Sequence, residues 1–385
     1  MGQRPETQSR KMVDEAVNIE PILNSQNEIW GHLSQIVFSN KIGSAYLFSG
    51  PAGSGKEAIS IKFSQLINCR MRKSNYCNQC ASCIKAGKLY HEKIKLILPL
   101  PRYGTNIKKG LMETSEKTIE QLNNSINRKS KNLFYKIRLD NANRILLESI
   151  RELRKTLYLK NNGFGRMMVI IFDAHLLCSG QGESANAFLK LLEEPPDKTT
   201  FIIVSDYVEL LFHTIVSRCQ KINFPRLKDS YIDSCFRSKI VNQNERNLLV
   251  GLSRGNMRNA QFYSENSLDN IQRLITELVE QTTQENIDLW RRFTNEYSRY
   301  AKQNSEKFEL HIMLLKIWFQ SVNRLKNKIN DHLHHTYLKV HMEKFLMDYP
   351  NADLQSIVIE LEELIRSTSV SLYMNLVLTN FLLKV

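Results

Sequence analysis

The sequence contains no apolar run as long as the ~18 residues that a membrane-spanning helix needs, and its polar N-terminus lacks the apolar core of a secretory signal. We therefore expect a cytoplasmic protein without a membrane anchor. Proline and glycine are scarce in the C-terminal part, where beyond Pro225 only Pro350 follows and glycine occurs only at Gly251 and Gly255. This scarcity of helix breakers, together with helical periodicity, predicts an all-α region from about residue 226 to the end.

Acidic residues are too few to balance the basic ones. The chain has 53 Lys and Arg against 39 Asp and Glu, which gives a formal net charge of +14. Such an excess favours an anionic partner, nucleic acid first and an acidic protein second, while a basic surface kept only for solubility is the alternative. Four of the seven cysteines fall in one short segment, which in a cytoplasmic protein indicates metal binding rather than disulfides.

Strands alternate with helices over about the first 225 residues, which predicts an α/β sheet with crossover connections. We predict strands at 45–49, 167–172 and 201–204, and helices at 30–40, 58–67, 144–159 and 185–193. The predicted organisation is a loose arm at 1–26, an α/β domain at 27–225, and two helical bundles at 226–282 and 283–385. Within the α/β domain, residues 100–144 are polar and rich in Asn and Lys, and we interpret them as a partly mobile insertion.

Residues 50–57 match the G-x-x-x-x-G-K pattern of a phosphate-binding loop, in the strand–loop–helix context that such a loop needs. Backbone N–H groups around Gly50, Gly53 and Gly55 would wrap phosphates, and Lys56 would reach the β- and γ-phosphates. The next position ordinarily carries a hydroxyl that holds Mg²⁺, and here it is Glu57. The carboxylate of Glu57 places negative charge beside the triphosphate.

The strand before Ala174 should end in an Asp-Glu pair, in which Asp orients metal-bound water and Glu polarises the attacking water. The pair reads Phe172-Asp173 instead. Two Mg²⁺ functions are therefore missing, which argues against ATP hydrolysis. Binding of ATP or ADP without hydrolysis stays open, because Gly50 to Lys56 supply most phosphate contacts.

A four-cysteine motif, C-x7-C-x2-C-x2-C, predicts a closed tetrahedral site for structural Zn²⁺. Its candidate ligands are Cys69, Cys77, Cys80 and Cys83. An iron–sulfur cluster and unligated thiols are the alternatives, and His91 is a more distant substitute ligand that we interpret as structural. The isolated Cys178, Cys219 and Cys235 are predicted to be small core residues.

Ser217-Arg218-Cys219 follows the last predicted strand region. An arginine on a loop at the edge of an α/β domain can act as an arginine finger on a neighbour's γ-phosphate. Taken alone, the tripeptide is equally compatible with a solvated surface arginine.

The order of these motifs resembles the clamp-loader AAA+ family, which includes the delta-prime and gamma/tau subunits of bacterial DNA polymerase III. The matching segments are 45–51 with the phosphate loop, the four cysteines, 150–153, 186–196, 214–220 and 255–260. The resemblance implies a P-loop domain carrying a rigid zinc module, a helical lid at 226–282 and a helical collar at 283–385.

The departures at Glu57 and Phe172, with Arg218 intact, resemble the delta-prime subunits, which often lose hydrolysis. By this resemblance Arg218 would reach into the ATP site of an adjacent gamma/tau subunit. Arg258 would be the second-sensor arginine of the lid, and Ser205 would stand near the first-sensor position. The alternatives are an active gamma/tau-type ATPase and a zinc-bearing nucleic-acid-binding factor outside replication.

The implied partners are gamma/tau and delta subunits in a hetero-oligomer, expected to be a pentamer, together with the sliding clamp and primed DNA at the nucleoid. The basic side chains of the insertion either contact the DNA backbone or form a solvated surface. They are Lys108, Lys109, Arg128, Lys129, Lys131, Lys136 and Arg138.

Overall fold

The computed structural model describes residues 20–101, 116–158, 163–367 and 372–384. Five parallel strands form one sheet in the order β2-β3-β4-β1-β5. The strands are β1 (Ala45–Ser49), β2 (Ile94–Ile97), β3 (Met167–Ile171), β4 (Thr199–Ser205) and β5 (Gln220–Asn223). Because all strands run the same way, their carboxyl ends line one edge of the sheet, where such folds place their sites.

Helices cover both faces of this sheet. They are α1 (Glu20–Ser25), α2 (Asn27–Phe38), α3 (Lys56–Asn68), α4 (Ala81–Gly87), α5 (Glu116–Lys131), α6 (Leu147–Tyr158), α7 (Glu183–Glu193) and α8 (His213–Val216). Successive residues of β3 face opposite sides: Met168 and Ile170 join one apolar core, whereas Val169 and Ile171 join the other. A parallel sheet covered on both faces requires such continuous apolar strands.

The rest of the described chain is helical. It contains α9 (Asp229–Phe236), α10 (Gln243–Ser253), α11 (Met257–Glu265), α12 (Leu268–Thr283), α13 (Ile287–Gln303), α14 (Ser305–Lys326), α15 (Leu338–Asp348), α16 (Leu354–Ser367) and α17 (Met374–Leu382). Trp318, Phe319 and Phe345 pack edge to face with ring centroids 5.1 to 5.6 Å apart. None of the helices in the described ranges combines the length and the apolar character that crossing a membrane requires. The predicted α/β core followed by a helical region is confirmed.

A buried carboxylate joins α10 to the end of α14. Asp331 accepts from Arg254 at 2.7 Å and from Arg324 at 3.1 Å. Burial alone would raise the pKa of Asp331, but the two arginines and the backbone N–H of Leu333 outweigh it and lower that pKa.

Strands β2 and β5 were not predicted. In β5 three of four residues are exposed, so the strand has no apolar run to reveal it. The prediction of a loose arm is wrong for residues 20–26, while 1–19 lie outside the described residues. Gln26 is buried, and its Nε2 donates to the carbonyl oxygens of Ser54 at 3.0 Å and Pro225 at 3.1 Å.

The prediction of a polar, partly mobile insertion is wrong for residues 116–144. Helix α5 is followed by a segment that buries four apolar side chains, Leu133, Phe134, Ile137 and Leu139. The side chain of Lys129 is 0% exposed, which excludes this lysine as a surface charge for DNA. Lys108 and Lys109 lie outside the described residues.

The isolated cysteines also differ from prediction. Cys178, Cys219 and Cys235 pack against the apolar cores but are only half-buried. They lie at the margin of the core rather than within it.

We predict that Leu133→Ala destabilises the protein by about 2–5 kcal/mol, because it deletes a buried side chain and leaves a cavity. Ile119→Ala on α5 is the matched control, since Ile119 is 48% exposed and surface truncations usually change stability by less than about 0.5 kcal/mol. Urea unfolding monitored by circular dichroism measures both. Equal small effects would contradict the buried position of the segment.

Candidate functional site

The phosphate-binding loop connects β1 to α3, and neighbouring segments press against its backbone. A Cβ on Gly50 would lie 2.2 Å from the carbonyl oxygen of Phe224, and one on Gly53 would lie 1.7 Å from Oδ1 of Asn256. Gly50, Gly53 and Gly55 all have positive φ, which glycine adopts without strain. The N–H of Met257 donates to the Gly53 carbonyl at 3.2 Å, so the start of α11 lies directly on the loop.

The ammonium of Lys56 has three oxygen partners within the protein. It donates to the carbonyl oxygens of Gly50 at 2.6 Å and Pro51 at 2.7 Å, and it pairs with Asp206 Oδ1 at 2.7 Å. These are the three hydrogens an ammonium carries. Lys56 is buried, and that burial lowers its pKa while Asp206 opposes the shift.

Glu57 is held by two lysines from the segment around the end of α5. Its Oε2 pairs closely with Lys129, and its Oε1 lies 2.8 Å from Lys136 Nζ. Burial would raise the pKa of Glu57, but Lys129 and Lys136 outweigh it and lower the pKa to about 2. The carboxylate is therefore ionised and paired rather than free to bind a metal.

Phe172 and Asp173, directly after β3, contact the same two lysines. Asp173 Oδ1 lies 2.6 Å from Lys136 Nζ, and the Lys129 ammonium lies 5.3 Å from the centroid of the Phe172 ring. Phe172 is buried. Lys136 therefore bridges the two carboxylates, Glu57 and Asp173, that flank the expected metal position.

Asp206, directly after β4, completes the cluster and has no motif that would have identified it. Its carboxylate binds Lys56 on one oxygen and lies 3.3 Å from the Arg258 guanidinium on the other. These cations and Lys136 hold the pKa of Asp206 well below its ordinary value despite burial. The neighbouring Ser205 is buried, and its hydroxyl accepts from the N–H of Tyr207 at 3.1 Å.

These residues do not fit a magnesium nucleotide. Phosphate oxygens would have to displace Asp206 from Lys56, and the displaced carboxylate would remain beside them. A divalent cation would have to displace Lys136 from Glu57 and Asp173. The first change leaves Asp206 only Arg258 as a partner, and the second separates Lys136 from both of its carboxylates. Separating charges from their partners inside a protein is strongly unfavourable.

The four cysteines of the motif converge as predicted. The Sγ atoms of Cys69, Cys77, Cys80 and Cys83 all lie within 4.8 Å of one another, and Cys77 Sγ is 3.9 Å from Cys83 Sγ. Four sulfurs at ~2.3 Å from a tetrahedral zinc lie roughly 3.8 Å apart. The cluster is therefore a structural metal site with a geometry that suits zinc.

Backbone N–H groups prepare this cluster for a cation. The N–H of Cys77 donates to Cys69 Sγ at 3.4 Å, and that of Cys83 donates to Cys80 Sγ at 3.4 Å. Burial opposes ionisation of Cys80, but the backbone donors and neighbouring thiols lower its pKa to about 6, whereas burial raises the pKa values of Cys69 and Cys83. Thiolates are the form that binds metals.

His91 is structural, as predicted. Its Nδ1 accepts from the N–H of Lys93 at 3.0 Å, and its Nε2 lies 2.8 Å from the Ser82 hydroxyl. The Ser82 hydroxyl donates to the Asn68 carbonyl at 2.7 Å. With both ring nitrogens used this way, His91 braces the metal module rather than serving as a ligand.

Arg218 lies two residues beyond α8, and its side chain is 38% exposed. One guanidinium nitrogen lies 2.7 Å from Glu193 Oε1, and another donates to the Thr214 carbonyl at 2.9 Å. Both partners belong to the same domain, so they orient the guanidinium while leaving part of it accessible.

We expect the purified protein to carry about one zinc ion per chain. Cys80→Ser should lose most of this metal and lower the melting temperature, because a hydroxyl is a poor substitute for a thiolate ligand. Cys178→Ser is the control, since Cys178 lies outside the cluster. Elemental analysis with thermal unfolding measures both effects. Iron in place of zinc, or unchanged metal content in Cys80→Ser, would contradict the assignment.

Comparison with known proteins finds one family over the sheet domain. A sequence model of the family described as DNA polymerase III, delta subunit, matches residues 25–228, more than half of the chain. The tau subunit of DNA polymerase III from Bacillus subtilis is 27% identical over 208 residues, covering 54% of this chain and 29% of tau. The delta-prime subunit of the same organism is 23% identical over 231 residues, covering 59% of this chain and 57% of delta-prime.

Two solved structures align over most of the chain but superpose loosely. A gamma subunit-related protein of Thermotoga maritima aligns with a TM-score of 0.38 and 16% identity, covering 92% of this chain and 97% of that protein. The clamp loader delta protein of Bacillus subtilis aligns with a TM-score of 0.29 and 10% identity, covering 92% of this chain and 98% of that protein. TM-scores this low carry no argument. The chain spans less than two thirds of the tau and delta-prime relatives. Because the family model covers more than half of it, the chain belongs to the clamp-loader family described as DNA polymerase III, delta subunit, with the gamma/tau and delta-prime subunits as distant relatives.

Proposed function

We propose that this chain is a non-hydrolysing, delta-prime-like subunit of a clamp loader. It assembles with gamma/tau and delta subunits, as a pentamer, and helps to load the sliding clamp onto primed DNA. The observation that carries this proposal is the pairing of Lys136 with both Glu57 and Asp173, while Arg218 stays accessible at the domain edge.

Phosphoryl transfer explains why this observation matters. Enzymes of this class position Mg²⁺ on a loop hydroxyl and an acidic residue, and they orient the attacking water with a further side chain. Here the hydroxyl is replaced by Glu57 and the metal-binding acid by Phe172, and the remaining acid, Asp173, is bound to Lys136. At these three described positions, therefore, no group is free to hold the metal or to orient water.

Arg218 supports a role in a neighbour's reaction. A guanidinium presents a fork of donors that matches phosphate oxygens, and it stabilises the charge that develops on them. Glu193 and the Thr214 carbonyl fix the side chain on two sides, which lowers the entropy lost when the finger engages a γ-phosphate. Arg258 is instead bound to Asp206, which follows β4 of the sheet domain in the same chain.

A zinc ion in the four-cysteine cluster fits this function as a rigid scaffold. The net charge of +14 suits a complex that handles DNA. Such a complex acts on chromosomal DNA, which places the chain in the cytoplasm at the nucleoid. Lys129 and Lys136 take no part in DNA contact, because both are bound to carboxylates.

The test of the proposal is reconstitution with the gamma/tau and delta subunits of the same cell. Loading of the sliding clamp onto primed DNA is measured with and without this chain. We expect loading to require it. Failure to co-purify with those subunits would contradict the proposal and favour a nucleic-acid-binding factor outside replication.

A second candidate is an active gamma/tau-type ATPase, which the 27% identity to a tau subunit favours. We expect the isolated chain to hydrolyse no ATP above the buffer background, because its metal-binding groups are replaced or paired. A phosphate-release assay measures this, with Lys56→Ala as the comparison. Hydrolysis by the unaltered chain that Lys56→Ala abolishes would establish the second candidate.

We predict that Arg218→Ala leaves assembly intact but lowers DNA-stimulated ATP hydrolysis by the partner subunits by ~10³ or more, the usual value of an arginine finger. Arg237→Ala is the matched control, because Arg237 is also a surface arginine paired with a carboxylate, Asp233, at 2.9 Å. Steady-state turnover of the reconstituted complex is the measurement. Equal turnover in the two variants would remove the finger role.

A further inference from the structure

The phosphate site of this chain already contains charged groups of both signs at the places a magnesium nucleotide would use. Two of these groups come from the segment 116–144, which separates β2 from α6. Lys129 lies near the end of α5, and Lys136 follows seven residues later. Their ammonium groups meet at one carboxylate, Glu57.

The two ammonium groups take the place of the metal. Lys136 lies between the loop residue after Lys56 and the acidic residue after β3, where Mg²⁺ is ordinarily held. Lys129 pairs with the same Glu57 carboxylate and also donates to the Tyr135 carbonyl at 2.7 Å. Together the two lysines supply the same charge, +2, as one magnesium ion.

The carboxylate of Asp206 takes the place of the terminal phosphate. The lysine that ends the phosphate loop, Lys56, binds one of its oxygens at 2.7 Å. The arginine at the start of α11, Arg258, lies 3.3 Å from the other. In P-loop proteins the loop lysine binds the β- and γ-phosphates, and an arginine stabilises the charge on the γ-phosphate. An anion held between the loop lysine and an arginine therefore corresponds to that phosphate.

The segment that carries the lysines also contacts the helical units directly. Asn132 and Gln261, on α11, exchange hydrogen bonds between their side-chain amides at 3.0 and 3.3 Å. Arg138 pairs with Glu309, on α14, at 2.8 Å. The segment therefore links the sheet, α11 and α14, and its lysines end at the loop that a nucleotide would otherwise occupy.

We propose that the segment 116–144 is an internal substitute for magnesium nucleotide: Lys129 and Lys136 replace the metal, Asp206 replaces the terminal phosphate, and together they fix α11 against the sheet without any bound ligand. This inference concerns the chain by itself and stands whether or not the proposed assembly is correct.

The first test is nucleotide binding to the full chain. A fluorescent ATP analogue with Mg²⁺ is titrated to ~1 mM, a concentration that detects even weak binding. We expect no saturable binding, and no change in amide hydrogen exchange of residues 257–265 when the analogue and Mg²⁺ are added. Saturable binding, or added protection of α11, would overturn the proposal.

The second test removes the substitute cation. Lys136→Met keeps the length of the side chain and deletes its charge, so hydrogen exchange in residues 257–265 should become at least about tenfold faster. Lys136→Arg, which keeps the charge, should stay within about threefold of the unaltered chain. Lys131→Met is the matched control, because Lys131 is an exposed lysine of the same segment, at the end of α5, and it should leave the exchange unchanged.

Folding is verified by exchange in β3 and β4, which should stay protected in every variant. If Lys136→Met does not yield folded protein, Glu57→Gln replaces it, since this change removes the carboxylate charge at nearly constant shape. Unchanged exchange of α11 in either variant would overturn the proposal. Equal acceleration in Lys131→Met would also overturn it, because the effect would then belong to the helix surface and not to the buried pairs.

Discussion

Paired charges around the phosphate loop, of which Lys56 and Lys129 are buried and the others half-buried, form the interaction on which the arrangement of this molecule depends. Three carboxylates and four cations converge there from five separate parts of the sequence. The carboxylates are Glu57, Asp173 and Asp206, and the cations are Lys56, Lys129, Lys136 and Arg258. A buried charge is tolerated only when it is paired, and removing one partner from such a pair costs about 3–5 kcal/mol. The pairs therefore fix the loop, the segment after α5 and the start of α11 relative to one another.

This arrangement separates the P-loop architecture from the metal binding that usually accompanies it. The chain has the glycine loop at the carboxyl end of β1, but Lys136 pairs with the two carboxylates beside it, where we propose that it replaces a metal. Arg218, which we propose acts on a neighbouring molecule, lies at the surface and is oriented by Glu193. The four-cysteine cluster around Cys80 lies beside α3 and α4, and we propose that a zinc ion there adds rigidity to this side of the domain.

Local sequence patterns predict the elements whose environment is uniform. β1, β3 and β4 are apolar on both faces because they lie inside a covered parallel sheet, so their positions follow from composition. β5 is an edge strand with one buried residue of four, and periodicity cannot reveal it. Residues 116–144 are misread for a related reason: a lysine such as Lys129 is normally exposed, and only tertiary pairing with Glu57 makes its burial stable.

By itself the sequence determines the loop with Glu57 in place of a hydroxyl, the ring of Phe172 in place of a metal ligand, and the spacing of the four cysteines, because each depends on residues close together in the chain. Only the tertiary structure decides what fills the altered site. Asp206 and Lys136 carry no motif, and the groups they bind lie between 37 and 150 residues away along the chain. Their roles arise because parallel strands bring their carboxyl ends to one edge, where distant charges meet out of water and must pair.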